Sequence, residues 1–165
     1  MRIVLIGLRG SGKTKIGKLL GEKLNLPSID LDKEIEKAEN CSITEIVKDY
    51  GWEYFRKKEK EAVKKTSNIS DVIISTGGGA IIDPENQKIL KKDATVIYLK
   101  RSPEDCYKWI KNKKDRPLLT DEKDLLEDLK QVYKDRKSIY ENAADIIIEK
   151  TDDLEKDTKK IINLI

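Results

Sequence analysis

The feature that most constrains the fold of this chain is a glycine-rich segment close to its N-terminus. Residues 7–14 have the sequence GLRGSGKT and fit the pattern G-x-x-x-x-G-K-[ST]. The apolar run 2–6 before it is typical of a buried parallel strand, and residues 15–24 after it have apolar side chains at helical spacing. A strand, a glycine loop and a helix in this order make a phosphate-binding loop, because backbone N–H groups and the helix N-terminus then face an anion. The segment therefore predicts a nucleoside triphosphate site.

Two side chains at the end of this loop are candidates for direct chemistry. Lys13 is predicted to reach the β- and γ-phosphates of the nucleotide, and the Thr14 hydroxyl is predicted to bind Mg²⁺. The loop thus indicates a magnesium-bound nucleotide.

The charge balance and length of the chain limit the partners it is expected to have. Its 165 residues suffice for one domain with its own core. With 34 basic and 31 acidic residues the net charge is +3, too balanced to indicate nucleic acid or an anionic membrane. The sequence shows no apolar run of membrane-spanning length and no signal-peptide pattern. We therefore expect a soluble, cytoplasmic protein. We also expect a monomer that acts on small molecules.

The reactive side chains of the sequence exclude several kinds of catalysis. Cys41 and Cys106 are isolated, so we expect reduced, partly buried thiols. The chain contains no histidine, which excludes Ser-His and Cys-His catalysis and the usual zinc ligand. Acid–base chemistry must then fall to carboxylates or lysines. Phosphoryl transfer tolerates this, because it depends mainly on positioning and charge neutralisation.

The apolar segments alternate with helical ones along the whole chain. Five of them predict strands, at 2–6, about 28–31, 72–75, 95–99 and 145–149. Helix starts are marked by the capping box Ser42-x-x-Glu45, by Asp83 before Pro84 and by Ser102 before Pro103. This alternation predicts an α/β fold with a parallel sheet between two layers of helices.

A polar segment at about residues 111–124 lacks helical periodicity and is dense in charge. A long polar loop inside a compact domain is often a functional lid, and a plain surface connection is the alternative. Arg116 lies in this segment and would act as an arginine finger if it closed on the γ-phosphate.

Two carboxylates follow the second predicted strand. Asp30 and Asp32 should face the phosphate loop, because ligands of such sheets bind at the carboxyl ends of the strands. One of them can hold Mg²⁺ through water, while the other accepts a hydrogen bond from an attacking hydroxyl. The alternative is that Asp32 only caps a helix over residues 33–39.

Three further groups are candidates for binding an anionic substrate. Arg56 and Glu59 lie at i and i+3 on a helical stretch, so the carboxylate can orient the guanidinium, although an exposed surface ion pair is the alternative. Gly77–Gly79 follow the third strand and allow the backbone to approach a ligand closely. Arg136, near the end of a helix predicted at 122–141, can supply a second guanidinium.

A guanine-binding pattern competes with these assignments. Residues 112–115 fit N-K-x-D, which in GTPases ends a buried strand. Here residues 103–110 before it predict a helix, and no glycine of the chain has an aspartate three positions earlier, as the GTPase D-x-x-G pattern requires. The pattern is therefore attributed to chance.

Taken together, five motifs resemble those of the shikimate kinases, which are small P-loop kinases similar to nucleoside monophosphate kinases. They occur in the family's order: GLRGSGKT, the D-x-D of IDLD, FRKKE, GGG, and RPLL followed by R-x-x-x-Y. The adenylate and gluconate kinases lack this set.

The resemblance implies a fold and a reaction. The fold is a three-layer α/β sandwich with a five-stranded parallel sheet in the order 2-3-1-4-5. One kinase domain then covers residues 1–165, with a substrate-binding region at about 32–60 and a lid at about 111–122. The implied reaction is Mg²⁺-dependent transfer of the γ-phosphoryl group of ATP to the 3-hydroxyl of shikimate. It gives shikimate 3-phosphate in the biosynthesis of chorismate and the aromatic amino acids.

The resemblance also implies roles for single residues. The residues with a catalytic role are Lys13, Asp32 and Arg116. The residues on the ATP phosphates are Gly10, Ser11, Gly12, Lys13, Thr14, Lys15 and Arg116. The residues on shikimate are Asp32, Arg56, Gly78, Gly79 and Arg136, with Glu59 supporting Arg56. The Mg²⁺ ligands are Thr14 and, through water, Asp30.

Three positions depart from the family's pattern. Trp52 stands where an acidic residue is common, and Trp109 stands where an arginine usually stacks on adenine. Trp109 can stack on the purine itself or be a residue of the helix core. The proline that flanks adenine is missing from residues 152–157. The alternatives to a shikimate kinase are a related small-molecule kinase, a nucleotide-binding switch and a catalytically silent paralogue.

Overall fold

A computed structural model describes residues 1–113 and 117–165. Within these residues the strands are β1 (Arg2–Ile6), β2 (Ser28–Asp30), β3 (Val72–Ser75), β4 (Thr95–Lys100) and β5 (Ile146–Glu149). The helices are α1 (Lys13–Leu24), α2 (Leu31–Glu39), α3 (Ile43–Lys65), α4 (Pro84–Lys91), α5 (Pro103–Ile110), α6 (Leu125–Ala143) and α7 (Leu154–Ile162), and a short 3₁₀ helix spans Ala80–Ile82. The predicted alternation of strands and helices is confirmed.

The sheet is parallel throughout and has the order β2-β3-β1-β4-β5. This is the predicted order 2-3-1-4-5. Its register pairs Ser75 with Leu5 on one side and with Asp30 on the other. Because β1, β2 and β3 run in parallel, their carboxyl ends lie side by side. The loops that follow these three strands therefore meet at one edge of the sheet.

The core lies on both faces of β1, because its side chains alternate between the two faces. Val4 and Ile6 pack on one face, and Ile3 and Leu5 pack on the other, all of them fully buried. A strand buried on both faces explains why residues 2–6 form a continuous apolar run in the sequence. Among the described residues, no helix is long and apolar enough to span a membrane.

The predicted helix caps are confirmed at all three places. Ser42 and Glu45 form a capping box at the start of α3, and the side chains of Asp83 and Ser102 accept backbone hydrogen bonds ahead of Pro84 and Pro103. These side chains satisfy N–H groups that have no partner inside the helix.

Several boundaries differ from the prediction. Strand β2 ends at Asp30 because α2 begins directly at Leu31, and α6 begins at Leu125 rather than at 122 because Asp124 caps it. Helix α3 is kinked at Gly51, whose φ of 82° is not helical. The kink separates the first turns of α3 from the part that carries Arg56 and Glu59.

Candidate active site

The phosphate loop wraps around the ammonium group of Lys13. Gly12 is the N-cap residue of α1, with φ at 94°, and the Ser11 N–H donates to the Leu8 carbonyl at 3.1 Å. The Lys13 ammonium donates to the carbonyl oxygens of Gly7 and Leu8, each at 2.8 Å. The lysine is nearly buried and lies at the N-terminus of α1, where the helix dipole favours an anion.

A cleft of about 290 Å³ opens over this loop. Most of the predicted phosphate-binding residues lie in its wall, while Ser11 is fully buried beneath the loop. The residues of the wall that come from the phosphate loop or carry charged or aromatic side chains include Gly10, Gly12, Lys13, Thr14, Lys15, Asp30, Asp32, Arg101, Trp109, Lys150 and Asp152. The cleft thus joins the phosphate loop to the ends of β2, β4 and β5.

The predicted Mg²⁺ ligands lie together in this cleft. The Thr14 hydroxyl donates to Asp30 Oδ2 at 2.5 Å, and Asp30 Oδ1 accepts from the Lys33 N–H at 3.2 Å. One hydroxyl and one carboxylate beside a phosphate site fit Mg²⁺, which takes one or two protein ligands along with phosphates and water. These contacts also show that Asp30, and not Asp32, caps the second helix. The alternative that Asp32 serves only as this cap is therefore wrong.

Asp32 lies between two cavities. It is in the first turn of α2, is 6% exposed, and lines both the nucleotide cleft and a second cavity beside it. A Cβ atom added to Gly77 would be 2.6 Å from Asp32 Oδ1 and 3.1 Å from Glu59 Oε2. Only a residue without a side chain fits there, so the glycine brings the carboxylates of α2 and α3 close to the third strand.

The second cavity combines three arginines with the glycine triplet. Its polar lining comes from Arg9, Asp32, Arg56, Glu59, Arg136 and the backbone of Gly77–Gly79. Its apolar lining comes from Ile43, Trp52, Phe55, Pro117, Leu119 and Val132. The guanidinium groups of Arg56 and Arg136 beside this apolar wall suit a small ring that bears a carboxylate. Of these apolar residues, Ile43 and Val132 belong to none of the sequence motifs, because their spacing matches that of ordinary core residues.

Arg56 is held in place by Glu59. Their side chains are 34% and 2% exposed, and the distance from Arg56 Nη1 to Glu59 Oε1 is 2.8 Å. The alternative of an exposed surface ion pair is therefore wrong. The Arg56 guanidinium also lies 5.5 Å from the Trp52 ring and 5.3 Å from the Phe55 ring. A Cβ atom at Gly79 would be 2.7 Å from the central guanidinium carbon of Arg56, so the glycine triplet leaves room for the Arg56 side chain.

Tyr140 connects α6 to the glycine triplet. It is fully buried, and its hydroxyl donates to the Gly78 carbonyl at 2.5 Å. Burial raises the pKa of Tyr140, so the phenol stays a donor at neutral pH. The R-x-x-x-Y motif thus has two functions, since Arg136 lines the cavity and Tyr140, one turn later, fixes the backbone of Gly78.

Burial raises the pKa of the Glu59 carboxyl, an effect that the neighbouring Arg56 guanidinium opposes and Asp32 reinforces. The folded protein therefore holds this proton more tightly than the unfolded chain does. The corresponding stability is present below the ordinary carboxyl pKa and is lost as the pH rises through the higher folded value.

Glu59→Gln is expected to change the pH dependence of stability, because glutamine does not titrate. The unfolding free energy of the wild type minus that of the variant should fall with rising pH. The fall is about 1.4 kcal/mol for each unit that separates the folded and unfolded pKa values. Urea unfolding of both proteins between about pH 4 and pH 8 measures this difference.

Glu45→Gln on the same helix is a control of opposite sign. Hydrogen bonds from the Ser42 backbone and hydroxyl lower the pKa of Glu45, so its contribution is present at higher pH and is lost as the pH falls. The burial of an ionisable Glu59 would be contradicted if the difference in unfolding free energy between the wild type and Glu59→Gln did not change with pH. It would also be contradicted if this difference rose with pH, as that of Glu45→Gln should.

The far end of the nucleotide cleft contains an indole between two cations. Trp109 is 47% exposed, with the Lys15 ammonium 4.7 Å and the Arg101 guanidinium 5.6 Å from its ring. Arg101 is nearly buried and pairs with Asp152. Of the two possibilities for Trp109, a helix core residue is therefore wrong.

Lys150 lines the same cleft and pairs with the buried Asp157 at 2.6 Å. No sequence pattern indicated Arg101, Lys150 or Asp157, because single charged residues are common in a chain that is 39% charged.

The predicted lid is described only in part. Arg116 lies outside the described residues, as do Lys114 and Asp115 of the N-K-x-D pattern. Asn112 and Lys113 follow α5 rather than a strand, which agrees with the assignment of this pattern to chance. The described end of the segment, residues 117–120, lies against Arg9 and Asp128.

Comparisons with known proteins identify the family. The family model described as shikimate kinase matches residues 9–165. A shikimate kinase from Caldicellulosiruptor saccharolyticus is 44% identical over 117 residues, which are 71% of this chain and 68% of that protein. Another, from Caldanaerobacter subterraneus subsp. tengcongensis, is 45% identical over 120 residues, which are 73% of this chain and 70% of that protein.

A solved structure agrees with these matches. The shikimate kinase from Acinetobacter baumannii in complex with shikimate superimposes with a TM-score of 0.93 at 31% identity. The match covers 99% of this chain and 91% of that one. Since the family model covers nearly the whole chain and relatives above 30% identity match most of it, the chain belongs to the shikimate kinase family.

Proposed function

We propose that Lys13, Asp32 and Arg116 carry the phosphoryl transfer of this kinase at the junction of its two cavities. The protein is a shikimate kinase, a phosphotransferase that moves the γ-phosphoryl group of ATP to the 3-hydroxyl of shikimate with Mg²⁺. The observation that supports the assignment most directly is the position of Asp32. Among residues 1–113 and 117–165, it is one of two that line both the nucleotide cleft and the arginine-rich cavity.

In this proposal the acceptor hydroxyl lies between Asp32 and the nucleotide. The Asp32 carboxylate accepts the hydrogen bond of the attacking hydroxyl and takes its proton as the new phosphate ester bond forms. At the same time the bond between the γ-phosphorus and the β–γ bridging oxygen breaks, and ADP leaves with that oxygen. Lys13 and the N–H groups of residues 10–15 hold the phosphate oxygens. Thr14, and Asp30 through water, would hold Mg²⁺, which would neutralise charge on the phosphates.

The second cavity binds shikimate in this proposal. Arg56 and Arg136 bind its carboxylate, because paired guanidinium forks match a planar carboxylate in geometry and charge. Glu59 fixes the direction of Arg56, and the backbone of Gly78 and Gly79 hydrogen-bonds the ring hydroxyls. The apolar wall excludes water from the reacting hydroxyl, which limits hydrolysis of ATP.

The nucleotide base is proposed to stack on Trp109. Its indole is half exposed and lines the nucleotide cleft, and it is not among the described residues that line the second cavity. A flat aromatic face at this position supports stacking on a purine. Lys15 and Arg101 lie within 6 Å of the ring and add cation–π contacts that hold it in place.

The wider organisation is part of the same proposal. We propose one kinase domain over residues 1–165, with a substrate region at about 32–60 and a lid at about 111–122. We also propose a cytoplasmic monomer without a nucleic-acid partner. The near-balance of 34 basic and 31 acidic residues supports the absence of a nucleic-acid partner. Light scattering of the purified protein at several concentrations tests the monomer.

Arg136→Ala is expected to raise the KM for shikimate by about 10- to 100-fold, the effect of losing one hydrogen bond between charged groups. The KM for ATP should change by less than about twofold, because Arg136 lines the second cavity and is not among the described residues that line the nucleotide cleft. A coupled assay with ATP, Mg²⁺ and varied shikimate measures both constants.

Lys134→Ala removes the same charge from an exposed position of α6 and is the matched control, with both constants unchanged. The assignment fails if shikimate does not stimulate turnover while gluconate or a nucleoside monophosphate does. Slow GTP hydrolysis with tightly retained GDP would instead indicate a nucleotide-binding switch.

A further inference from the structure

A buried ion pair joins the phosphate loop to helix α6. Arg9 is the third residue of the loop, and its Nη2 atom lies 2.7 Å from Asp128 Oδ2. The two side chains are 6% and 0% exposed. They are 119 residues apart in the sequence, so the contact exists only in the folded protein.

Both partners of this pair also form hydrogen bonds to the segment 117–120. Asp128 Oδ1 accepts from the Leu119 N–H at 2.9 Å, the Thr120 N–H at 2.7 Å and the Thr120 hydroxyl at 2.8 Å. Arg9 Nη1 donates to the Pro117 carbonyl at 2.9 Å. These four hydrogen bonds attach residues 117–120 to Arg9 and Asp128.

These contacts connect the two substrates' cavities. Pro117 and Leu119 belong to the apolar wall of the shikimate cavity, and Arg9 lines both that cavity and the nucleotide cleft. Helix α6, which carries Asp128, also carries Arg136 about 12 Å along its axis. One guanidinium thus connects the phosphate loop both to the wall and to the helix that form the shikimate site.

Stability alone does not explain such a pair. Removing two charges from water is costly, and replacing a buried ion pair with neutral side chains of similar size often leaves stability unchanged or higher. Both carboxylate oxygens of Asp128 and both terminal nitrogens of Arg9 have hydrogen-bond partners, and these partners belong to the pair itself or to residues 117–120. This arrangement favours a role in fixing the position of residues 117–120 relative to the phosphate loop.

We propose that Arg9 and Asp128 are positioning residues, which hold the wall of the shikimate cavity in register with the phosphate loop. Nucleotide bound at the loop then orders residues 117–120, and the acceptor hydroxyl is aligned with the γ-phosphate. The kinetic part of this proposal rests on the proposed function, while the link between loop and wall does not.

The first test compares single and double variants. Asp128→Asn leaves the Arg9 charge without its carboxylate, so both the melting temperature and kcat/KM for shikimate should fall, the latter about tenfold or more. Arg9→Met/Asp128→Asn removes both charges and keeps an acceptor for Leu119 and Thr120. The double variant should regain melting temperature while its kcat/KM stays low. Glu127→Gln, the exposed neighbour on α6, is the matched control with unchanged kinetics.

The second test needs no shikimate. A non-hydrolysable ATP analogue should slow hydrogen exchange of the Leu119 and Thr120 amides about tenfold in the wild type, measured by NMR. This slowing should be lost in the double variant. It should also be reduced in Arg9→Lys, which keeps the charge in the core but has no planar fork to reach both Asp128 and Pro117.

The outcomes separate the two proposals. If the wild type does not phosphorylate shikimate, the proposed function fails, while the exchange experiment still decides the coupling. Recovery of both melting temperature and kcat/KM in the double variant would show that the pair is only structural and would overturn the inference. Equal slowing of exchange in the wild type, the double variant and Arg9→Lys would overturn it as well.

Discussion

Asp32→Asn is expected to lower kcat with shikimate by about 10²- to 10⁴-fold, the range for loss of a positioned general base. Asparagine has nearly the same shape and keeps one oxygen that can accept the hydrogen bond of the acceptor hydroxyl. It cannot take the proton when the new ester bond forms. The KM for ATP should change little, because Lys13 and the phosphate loop remain intact. Steady-state kinetics with each substrate varied in turn measures both effects.

The matched control is Glu34→Gln, which removes a carboxylate from an exposed position in the same helical turn. Its kcat should equal that of the wild type. Asp30→Asn provides a contrast inside the site, because it should raise the Mg²⁺ concentration needed for half-maximal activity more than it lowers kcat at saturating Mg²⁺. If Asp32→Asn keeps kcat within about threefold of the wild type, Asp32 does not act as the base.

The different roles of Asp30 and Asp32 were only partly predictable from the sequence. The D-x-D pattern placed both carboxylates directly after the second strand, and the structure has Asp30 as the last residue of β2 and Asp32 two residues later in α2. The pattern left open which carboxylate caps the next helix. That choice depends on where α2 begins, and the structure shows Asp30 as the cap and Asp32 in the first turn. Helix starts are local, but their exact position is set by packing.

Burial was the main property that sequence patterns did not give. The i, i+3 spacing of Arg56 and Glu59 is the same on an exposed face and on a buried one, so only the structure shows that Glu59 is inside. In the same way Trp109 fits a core helix pattern, but it faces the cleft. Hydrophobic spacing predicts the face of a helix and does not show what covers that face.

Long-range charge pairs were not predictable at all. Arg9 lies inside the most recognisable motif of the chain, yet nothing near it indicates a partner 119 residues later. Among 34 basic and 31 acidic residues, no pairing can be selected by spacing alone. Such pairs follow from the topology, which brings the loop after β1 against the N-terminal turn of α6.

Lys13→Met is expected to lower kcat by about 10²- to 10³-fold, as the loss of one preorganised donor at a developing charge does elsewhere. The ammonium is nearly buried at the N-terminus of α1 and is aimed by the carbonyl oxygens of Gly7 and Leu8. A charge fixed in this way stabilises the transferring phosphoryl group without reorganisation of solvent. Methionine fills a similar volume, so the loop should keep its shape.

Shikimate binding separates this effect from unfolding. Trp52 lines the shikimate cavity and packs edge-on against Phe55, so its fluorescence should respond to shikimate. Lys13→Met should bind shikimate with unchanged affinity while the KM for ATP rises. Lys18→Met removes the same charge from an exposed position one turn along α1 and should leave every constant unchanged. A Lys13→Met protein that binds shikimate and keeps wild-type kcat would exclude Lys13 from the chemical step. A parallel loss of shikimate binding would instead indicate that the lysine maintains the fold of the loop.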